Sequence, residues 1–446
     1  MRRLSLLGVA AVTLAACATP SATTAPSVNA PEAWTFAGPQ SAAAQSPWWR
    51  QVFADPNLAA LVEEAGAVPS VEAAAARREA AEARLRAASS ALFPSVGLGL
   101  EVSGRADEDT ETDSASANAT VGYTRNLAGA ERLREGAAAA RLEAADAALA
   151  AARLDARVTA ARLITTALAA EAQEAAARRS LAAAQESLNI AETRTRAGLD
   201  NALAVAQART ARDRAAALLP PLAQARLQAR LGLEALLARP LGAQTLSAAE
   251  PFALNQPLFV EAPATVLARR PDLRLALANL AVADREAAAA QADRWPTLSI
   301  AAVFGVTAAD IPPDGAAATL TGSLLQPIFD ANRREALSAA AAAEAEAAAA
   351  DYRRAFAGAI GDVETSLVRL RETRAAREAQ AAVVASAQEQ SNLARSRYTS
   401  GLTSFLDVTI ADAALAEAEL TLAQTDGALL EAQILLANAL GLGADF

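Results

Sequence analysis

RSRYTSGLTSFLDV, residues 395–408, has a counterpart in the first half of the chain, TRTRAGLDNALAV, residues 193–205. In both stretches an arginine precedes a Gly-Leu pair, and an apolar residue follows the pair at the same distance. Gly198 and Gly401 are 203 positions apart (401 − 198). Glycine readily adopts the left-handed backbone that ends a helix and reverses the chain. We therefore expect one helix-reversing turn in each half of the chain.

Prolines repeat at nearly the same offset. Two pairs are each separated by 202 positions (271 − 69 and 296 − 94), namely Pro69 with Pro271 and Pro94 with Pro296. Three landmarks at one spacing indicate an internal duplication. We expect a first structural repeat in residues 47–262 and a second in residues 263–446, each with a helix, a β-hairpin and a long helical hairpin.

The composition favours long helices. The chain is 53% hydrophobic but only 4% aromatic, and most of its apolar residues are alanine, which is the best helix former and has little side-chain volume. Almost nothing that would stop a helix occurs in residues 130–197 or 331–400. Adjacent prolines remove backbone donors, so Pro220-Pro221 predicts a break in the second helix of the first hairpin. A heptad spacing that indicates a coiled-coil seam is carried by Leu415, Leu422, Leu429 and Leu436.

Other segments alternate between apolar and polar residues, which is the period of a strand with one apolar face. The clearest segment has apolar residues at Val96, Leu98, Leu100 and Val102. Further segments of this kind begin at Ala117, Leu298 and Leu320. The acidic stretch RADEDTETDS, residues 105–114, separates the first two segments and is expected to be a loop. Each half is therefore predicted to contain one β-hairpin.

The amino terminus reads MRRLSLLGVAAVTLAAC and contains the only cysteine, Cys17. Two arginines precede a short apolar run that has the length of a signal peptide, and LAAC resembles a bacterial lipobox. We expect residues 1–16 to be a signal peptide, Cys17 to be acylated, and residues 17–46 to be a flexible tether rich in Ser, Thr, Pro and Ala. The alternative is an ordinary secretory signal whose cysteine is incidental.

The charged residues exclude several classes of function. The chain has no histidine, and its basic residues are all arginine, which excludes histidine triads, histidine metal clusters and catalytic lysines. A net charge of −10 has the wrong sign for a protein that binds a phosphate backbone. We therefore predict no nucleic-acid partner, no cofactor, no metal and no catalytic residue.

The order of the motifs resembles a known family. A lipobox, PWWRQVFADPNLAALV, an FPS strand, a Gly-Leu turn, RRPDLR, QPIFD and RYTSGLTSFLDV follow one another as in the TolC-like outer-membrane efflux factors, specifically their NodT-type lipoprotein branch. The resemblance implies an α+β membrane protein. Three copies would form one twelve-stranded β-barrel, four strands from each protomer, continued by a long α-helical coiled-coil barrel in the periplasm. It also implies anchoring in outer-membrane lipid.

The resemblance also implies functional residues at the turns. It assigns the docking of a periplasmic adaptor to the two tips, formed by Gly198, Leu199, Gly401, Leu402 and Thr403. The alternative is that each Gly-Leu pair is only a turn.

A periplasmic aperture is implied next to the second tip. The resemblance assigns it Asp407, Tyr398, Arg397 and Arg194. Three copies of Asp407 around a narrow opening would repel one another, raise their apparent pKa and attract cations; the alternative is a solvated surface aspartate. This chain departs from some relatives, because Ile410 stands where they have a further aspartate and Thr403 where they have arginine. The first-half equivalent of Asp407 is Ala204.

The function that the resemblance implies is a passive exit duct of a tripartite efflux system. An inner-membrane efflux transporter would drive small molecules into it through the adaptor. One alternative is the adaptor lipoprotein itself, which would show one helical hairpin between small β-domains rather than two hairpins at a fixed offset. Another is an envelope enzyme, which would need paired carboxylates or a nucleophile in a pocket.

Overall fold

A computed structural model of the chain describes residues 28–36, 47–107, 110–240, 260–308 and 315–444. Cys17 and the predicted signal peptide lie outside them. Within these residues the chain forms ten α-helices: α1 (Trp48–Val52), α2 (Pro56–Glu64), α3 (Pro69–Ser90), α4 (Ala130–Arg196), α5 (Ala202–Ala217), α6 (Leu219–Leu236), α7 (Pro263–Arg269), α8 (Pro271–Ala292), α9 (Arg333–Thr399) and α10 (Phe405–Ala439). The same residues contain four strands: β1 (Ser95–Asp107), β2 (Thr110–Asn126), β3 (Thr297–Ala308) and β4 (Gly315–Leu325).

The element order confirms the duplication. Helices α3 and α8 each have 22 residues and begin at the paired prolines Pro69 and Pro271. Helices α4 and α9 each have 67 residues and coincide with the two predicted uninterrupted segments. In each half a strand pair lies between the shorter helix and the longer one.

The predicted break at Pro220-Pro221 is also confirmed. Helix α5 ends at Ala217, α6 begins at Leu219, and Leu218 stands between them. The prolines lie at the start of α6, where a missing backbone N–H costs least. In the second half α10 runs without interruption through the equivalent position, Ala423.

The described residues divide into two compact units. Of the described residues, the strand unit contains 79–107, 110–144, 276–308 and 315–353, and the helix unit contains 28–36, 47–78, 145–240, 260–275 and 354–444. None of the helices within the described residues has an apolar stretch long enough for a membrane span.

The strand unit contains one antiparallel sheet in the order β1-β2-β3-β4. The register places the alternating apolar residues on one face, for example in the row Val96, Val121, Ala302 and Leu320. The opposite face carries small and polar residues, for example in the row Ser95, Gly122, Ala301 and Thr321. Within the described residues β1 and β4 each pair on one side only. All four predicted strands are therefore confirmed, and the sheet has two open edges.

The expectation of a loop over residues 105–114 is wrong. Strand β1 continues to Asp107 and β2 begins at Thr110, and the ladder pairs Arg105 with Thr112. Strand pairing uses backbone groups, so it continues past the last apolar side chain. The alternating pattern marks only the part of the strands that has an apolar face.

The core of the helix unit explains the PWWRQVF motif. Trp48 and Trp49 are buried and pack edge to face with ring centroids 5.7 Å apart. The guanidinium of Arg157 lies 4.7 Å from the centre of the Trp49 ring and donates to the carbonyl of Gly443 at 2.6 Å. A side chain at Gly443 would meet both tryptophans, so glycine is needed there.

Part of the expected tether is held in place. Trp34 is buried, and its indole N–H donates to the carbonyl of Glu261 at 2.8 Å. The backbone N–H of Thr35 donates to Glu364 at 2.7 Å. Residues 28–36 are therefore bound to the helix unit, in contrast to the flexible chain expected from their composition.

The RRPDLR motif, at the start of the second repeat, contacts the end of α10 in the same repeat. Arg270 is buried and donates to the carbonyls of Ala359 at 3.2 Å and Ala439 at 2.9 Å. It also forms ion pairs with Asp272 and Asp362. Burial disfavours the charged form, but these carboxylates raise the pKa of Arg270 above its ordinary value. The charge is therefore kept at a helix C-terminus, where it is favourable.

The predicted leucine seam of α10 is buried mainly toward the helix C-terminus. Leu429 and Leu436 are buried, whereas Leu415 and Leu422 are half-buried. In the second long helix Val363 and Leu367 are buried in or beside the same core.

Candidate functional site

The two predicted turns have the same backbone geometry. Gly198 and Gly401 have φ angles of 72° and 73°. In each turn the glycine N–H donates to the carbonyl three residues earlier at 3.0 Å, and the following leucine N–H donates to the carbonyl five residues earlier, at 2.9 Å and 2.8 Å. This is the Schellman motif that ends a helix. The glycines are therefore required by the turns themselves.

The leucines of the two turns are exposed. Leu199 is 67% exposed and Leu402 is 69% exposed. Thr403 is half-buried, and its hydroxyl donates to the carboxylate of Asp407. Each tip thus presents a large apolar side chain that the turn itself does not require.

A buried tyrosine connects the two turns. The hydroxyl of Tyr398, before the second turn, donates to Oδ2 of Asp200, after the first turn, at 2.6 Å. Arg194 lies 3.3 Å from the same carboxylate, stacks its guanidinium 4.8 Å from the Tyr398 ring centre, and donates to the carbonyl of Thr399 at 3.2 Å. Burial, together with the hydrogen bond to Asp200, raises the pKa of Tyr398 to about 12.

Of the predicted aperture residues, the structure brings Tyr398 and Arg194 into one cluster and leaves Arg397 exposed outside it. Sequence reasoning missed Asp200, the carboxylate at the centre of the cluster. Its signal was present, because an acidic residue directly follows the first Gly-Leu pair where Thr403 follows the second.

Asp407 lies in the first turn of α10 and is exposed. Its Oδ2 accepts hydrogen bonds from the Ser404 backbone N–H at 3.1 Å and from the Ser404 hydroxyl at 2.9 Å, in addition to that from Thr403. An acidic residue at this position stabilises the start of a helix. These hydrogen bonds, first from Thr403 and then from Ser404, hold the pKa of Asp407 below its ordinary value.

The first hairpin is capped differently. Asn201 accepts from the backbone N–H of Ala204 at 3.2 Å, and Ala204, the equivalent of Asp407, has no carboxylate. One carboxylate of this kind is therefore present in each chain, at the second tip.

Asp407 shares an open groove of about 520 Å³ with neighbouring side chains of α9 and α10. We refer to it as the tip groove. Its lining includes Arg397, Thr403, Asp407 and Ile410.

A second polar cluster lies farther from the tips and was not predicted. Arg395 donates to both oxygens of Asp412, at 3.0 Å and 2.8 Å. The hydroxyl of Ser391 donates to Asp412 at 2.6 Å, and that of Ser187 at 3.4 Å. Both serines are buried. The cluster therefore links α4, α9 and α10 above the turns.

Comparison with known proteins assigns the family. The outer membrane efflux protein family profile matches residues 62–239 and 262–442. The pyoverdine export outer membrane protein OpmQ of Pseudomonas putida is 30% identical over 463 residues, which cover 99% of this chain and 97% of that protein.

Solved structures share the protomer fold. The open state of the outer membrane channel MtrE of Neisseria gonorrhoeae matches with a TM-score of 0.86 at 23% identity, covering 94% of this chain and 97% of that chain. The outer membrane protein VceC of Vibrio cholerae matches with a TM-score of 0.81 at 22% identity, covering 90% and 100% of the two chains. The family profile and the 30% identical relative favour an outer-membrane channel over the adaptor alternative. The chain belongs to the outer membrane efflux protein family.

Proposed function

We propose that three copies of this chain join edge to edge into a twelve-stranded barrel and form a passive exit duct for small molecules through the outer membrane. The observation that carries the proposal is the sheet of the strand unit, whose described strands leave two open edges. In hydrocarbon, backbone N–H and C=O groups without hydrogen-bond partners are too costly, so a sheet edge there must be paired. Closure by identical neighbours removes both edges at once.

The two faces of the sheet support this assignment. On β1, Val96, Leu98, Leu100 and Val102 are 73–88% exposed. Removing one such side chain from water is worth about 1.5–3 kcal/mol, so leaving a whole apolar face in water would be costly. The opposite face carries mainly glycine, serine, threonine and alanine, with Glu101 and Asn118 among them, which suits the water-filled interior of a barrel.

The tips are the proposed docking sites for a periplasmic adaptor. Exposed leucines at Leu199 and Leu402 offer a repeated apolar contact, with Gly198, Gly401 and Thr403 shaping the turns around them. The adaptor would connect the duct to an inner-membrane efflux transporter. Acylation of Cys17 would add a lipid anchor. We further propose that the protein catalyses no reaction and that its partners perform the work of transport.

The aperture is proposed to lie beside the second tip. The Tyr398, Asp200 and Arg194 cluster holds the two hairpin ends of one protomer together, and Arg397 stands exposed next to it. Three copies of Asp407 would form a ring that attracts cations. Their mutual repulsion would raise the pKa, in opposition to the hydrogen bonds that lower it in a single chain.

Single-channel conductance in a planar bilayer tests the proposal. The purified wild type is compared with Asp407→Asn and with a matched control, Asp213→Asn, which removes an exposed carboxylate from α5. We expect discrete, cation-preferring openings in the wild type and in the control, and openings without cation preference in Asp407→Asn. Absence of discrete openings in the wild type would contradict the duct. Unchanged selectivity in Asp407→Asn would remove Asp407 from the aperture.

A further inference from the structure

A four-residue segment directly after β4 has no strand partner among the described residues. Residues 326–329 read QPIF, and we refer to them as the QPIF extension. Strand β4 ends before them at Leu325, which pairs with Thr297, the first residue of β3. Ile328 and Phe329 are 90% and 88% exposed. Two adjacent large apolar side chains in water are typical of a surface that a partner covers.

The duplication identifies a counterpart of this extension in the first half of the chain. The offset of 203 positions between the two Gly-Leu turns also relates Ala130 to Arg333, which begin α4 and α9. Gly129 and Asn332, directly before these helices, both have positive φ angles, of 77° and 63°. Residues 123–126 are therefore the counterpart of the QPIF extension.

This counterpart is a strand because it has a neighbour. Strand β1 begins at Ser95, opposite Gly122 of β2, so residues 123–126 extend past β1. Their partner is β3, whose residues 297–300 pair with them on the other side. The QPIF extension likewise extends past β3, but the described residues of one chain offer no strand on its other side. The strand that fits there is the counterpart of β3, which is β1 of a second copy.

We infer that the QPIF extension becomes part of β4 when it pairs with residues 95–98 of a second copy. Phe329 then lies opposite Ser95 of the partner subunit, and Ile328 lies opposite Val96 of the partner subunit. The inference rests on the proposed function, because it requires copies that join through β4 and β1. It adds the register of that seam and a change from coil to strand on assembly.

The register follows from the ladder between β2 and β3, in which Asn126 pairs with Thr297. Adding 203 to the first position and subtracting 202, the offset of the paired prolines, from the second gives positions 329 and 95. The same offsets hold within the hairpins. They convert the pair Ser95 and Gly122 into positions 297 and 325, and the structure shows Thr297 opposite Leu325.

The side chains fit this register. Val96 lies on the apolar face of the sheet. Ile328 is four positions beyond Leu324, which is on the apolar face of β4, so a strand that continues to Ile328 places it on that face too. A slip by one residue would set Val96 opposite a residue of the polar face. The register can therefore differ from the inferred one only by an even number of residues.

Pro327 is compatible with the seam. Its counterpart in β2 is Thr124, two positions after Arg125 and Asn126 are counted back from Leu127. The N–H of Leu127 donates to the carbonyl of Pro296 at 3.0 Å, and because such bonds alternate along an antiparallel pair, the N–H of Thr124 points away from β3. The N–H that proline lacks would point away from the partner subunit in the same way, so it removes no hydrogen bond from the seam.

Oxidative cross-linking along the polar face tests the register. The inferred register places Ser323 opposite Glu101 of the partner subunit in a pair without hydrogen bonds, where Cα atoms are about 4.5 Å apart. In a Cys17→Ser chain, Glu101→Cys is combined with Ser323→Cys or, in separate chains, with Thr321→Cys or Leu325→Cys. The last two are two residues out of register, at about 7–8 Å, which is beyond the usual disulfide limit of about 6.8 Å.

The matched control is Thr120→Cys with Val303→Cys in the same background. These positions are the counterparts of Ser323 and Glu101, and the structure places them opposite each other in β2 and β3. We expect the control and the Ser323→Cys chain to lose their free thiols at similar rates, the first within one chain and the second between copies. The Thr321→Cys and Leu325→Cys chains should cross-link severalfold more slowly.

The outcomes separate the register from the duct. A maximum rate at Thr321→Cys or Leu325→Cys, or equal rates in all three chains, would overturn the inferred register and leave the duct in place. If the control forms its disulfide and none of the three chains is cross-linked between copies, the closed trimer of the proposed function fails instead.

Amide hydrogen exchange of the wild-type assembly tests the change from coil to strand. In the inferred seam the N–H groups of Ile328 and Asp330 donate to the partner subunit, as their counterparts in β2 donate to β3. Peptides covering residues 325–331 should therefore be protected to the same level as peptides covering residues 122–128. Exchange at the rate of unstructured chain in residues 325–331 of the intact assembly would overturn the inference.

Discussion

Replacing Tyr398 by phenylalanine isolates the bond that connects the two tips. The substitution keeps the ring, and with it the edge-to-face contact to Phe405 at 5.3 Å and the position of Arg194 4.8 Å from the ring centre. It removes only the hydroxyl, which donates to Asp200 at 2.6 Å. Asp200 keeps its ion pair with Arg194, so no carboxylate is left without a partner.

The expected loss of stability at the tips follows from the type of hydrogen bond that is removed. A buried hydrogen bond to a charged group contributes about 1.5–3 kcal/mol net. At about 1.4 kcal/mol for each factor of ten, separation of the two tips should become about 10- to 150-fold more frequent. The folded pKa of Tyr398, about 12, lies above the ordinary tyrosine value of about 10. The contribution of the Tyr398 hydroxyl to stability is therefore complete below about pH 10 and is lost as the pH rises to about 12.

Amide hydrogen exchange measures this opening directly. At neutral pH, peptides covering residues 193–205 and 395–408 should lose protection in Tyr398→Phe by the factor given above. Peptides covering residues 55–64 serve as an internal control and should not change. The protection ratio between wild type and variant should approach one between pH 10 and pH 12. Unchanged protection at both tips, or an equal loss in the control peptides, would refute the claim that this hydroxyl couples the tips.

Three further predictions concern stability. Arg270→Ala leaves the carbonyls of Ala359 and Ala439 without their buried donor, so denaturant unfolding should show a loss of about 2–5 kcal/mol in the free energy of unfolding. A loss below about 0.5 kcal/mol would contradict the stabilising role of these Arg270 hydrogen bonds. Gly427→Ala places a methyl group 2.7 Å from the Ala169 side chain, and this overpacking should lower the free energy of unfolding by about 1–3 kcal/mol. Gly358→Ala is the matched control, because its new methyl group meets nothing within 4 Å; it should stabilise α9 by about 0.5–1 kcal/mol. Because the folded pKa of Asp407 is lowered, its contribution is present above its ordinary pKa and is lost on acidification. Acid should therefore lower the amide protection factors, corrected for the intrinsic pH dependence of exchange, at the start of α10 in the wild type but not in Asp407→Asn.

Local pattern was enough to predict most of the secondary structure. Alternation located four strands, the absence of helix-stopping residues located α4 and α9, and paired prolines located the break at Leu218. Each of these patterns reflects the conformation of a few consecutive residues, so it predicts local structure without knowledge of the residues that pack against it in the fold. The acidic stretch at 105–114 was misassigned because its backbone pairs without help from apolar side chains.

The polar clusters depend on neighbours that are distant in sequence. Tyr398 and Asp200 are 198 positions apart, and the duplication offset of 203 pairs Tyr398 with Thr195 instead. An offset identifies equivalent residues, not contacting ones. Trp34 shows the same limit, because the composition around it is that of a tether and only its buried contact with Glu261 reveals that it is held.

Oxidative cross-linking between sheet edges tests the central claim, that three copies close one barrel through β1 and β4. Single cysteines are placed along β1, for example at Glu101, and along β4, for example at Thr321, in a chain with Cys17 replaced by serine. Chains that carry one cysteine on each strand should give a covalent ladder that ends at three, whereas chains with a cysteine on only one strand should give none. A ladder that continues past three, or no cross-link at any pair of positions along the two strands, would contradict the closed trimer.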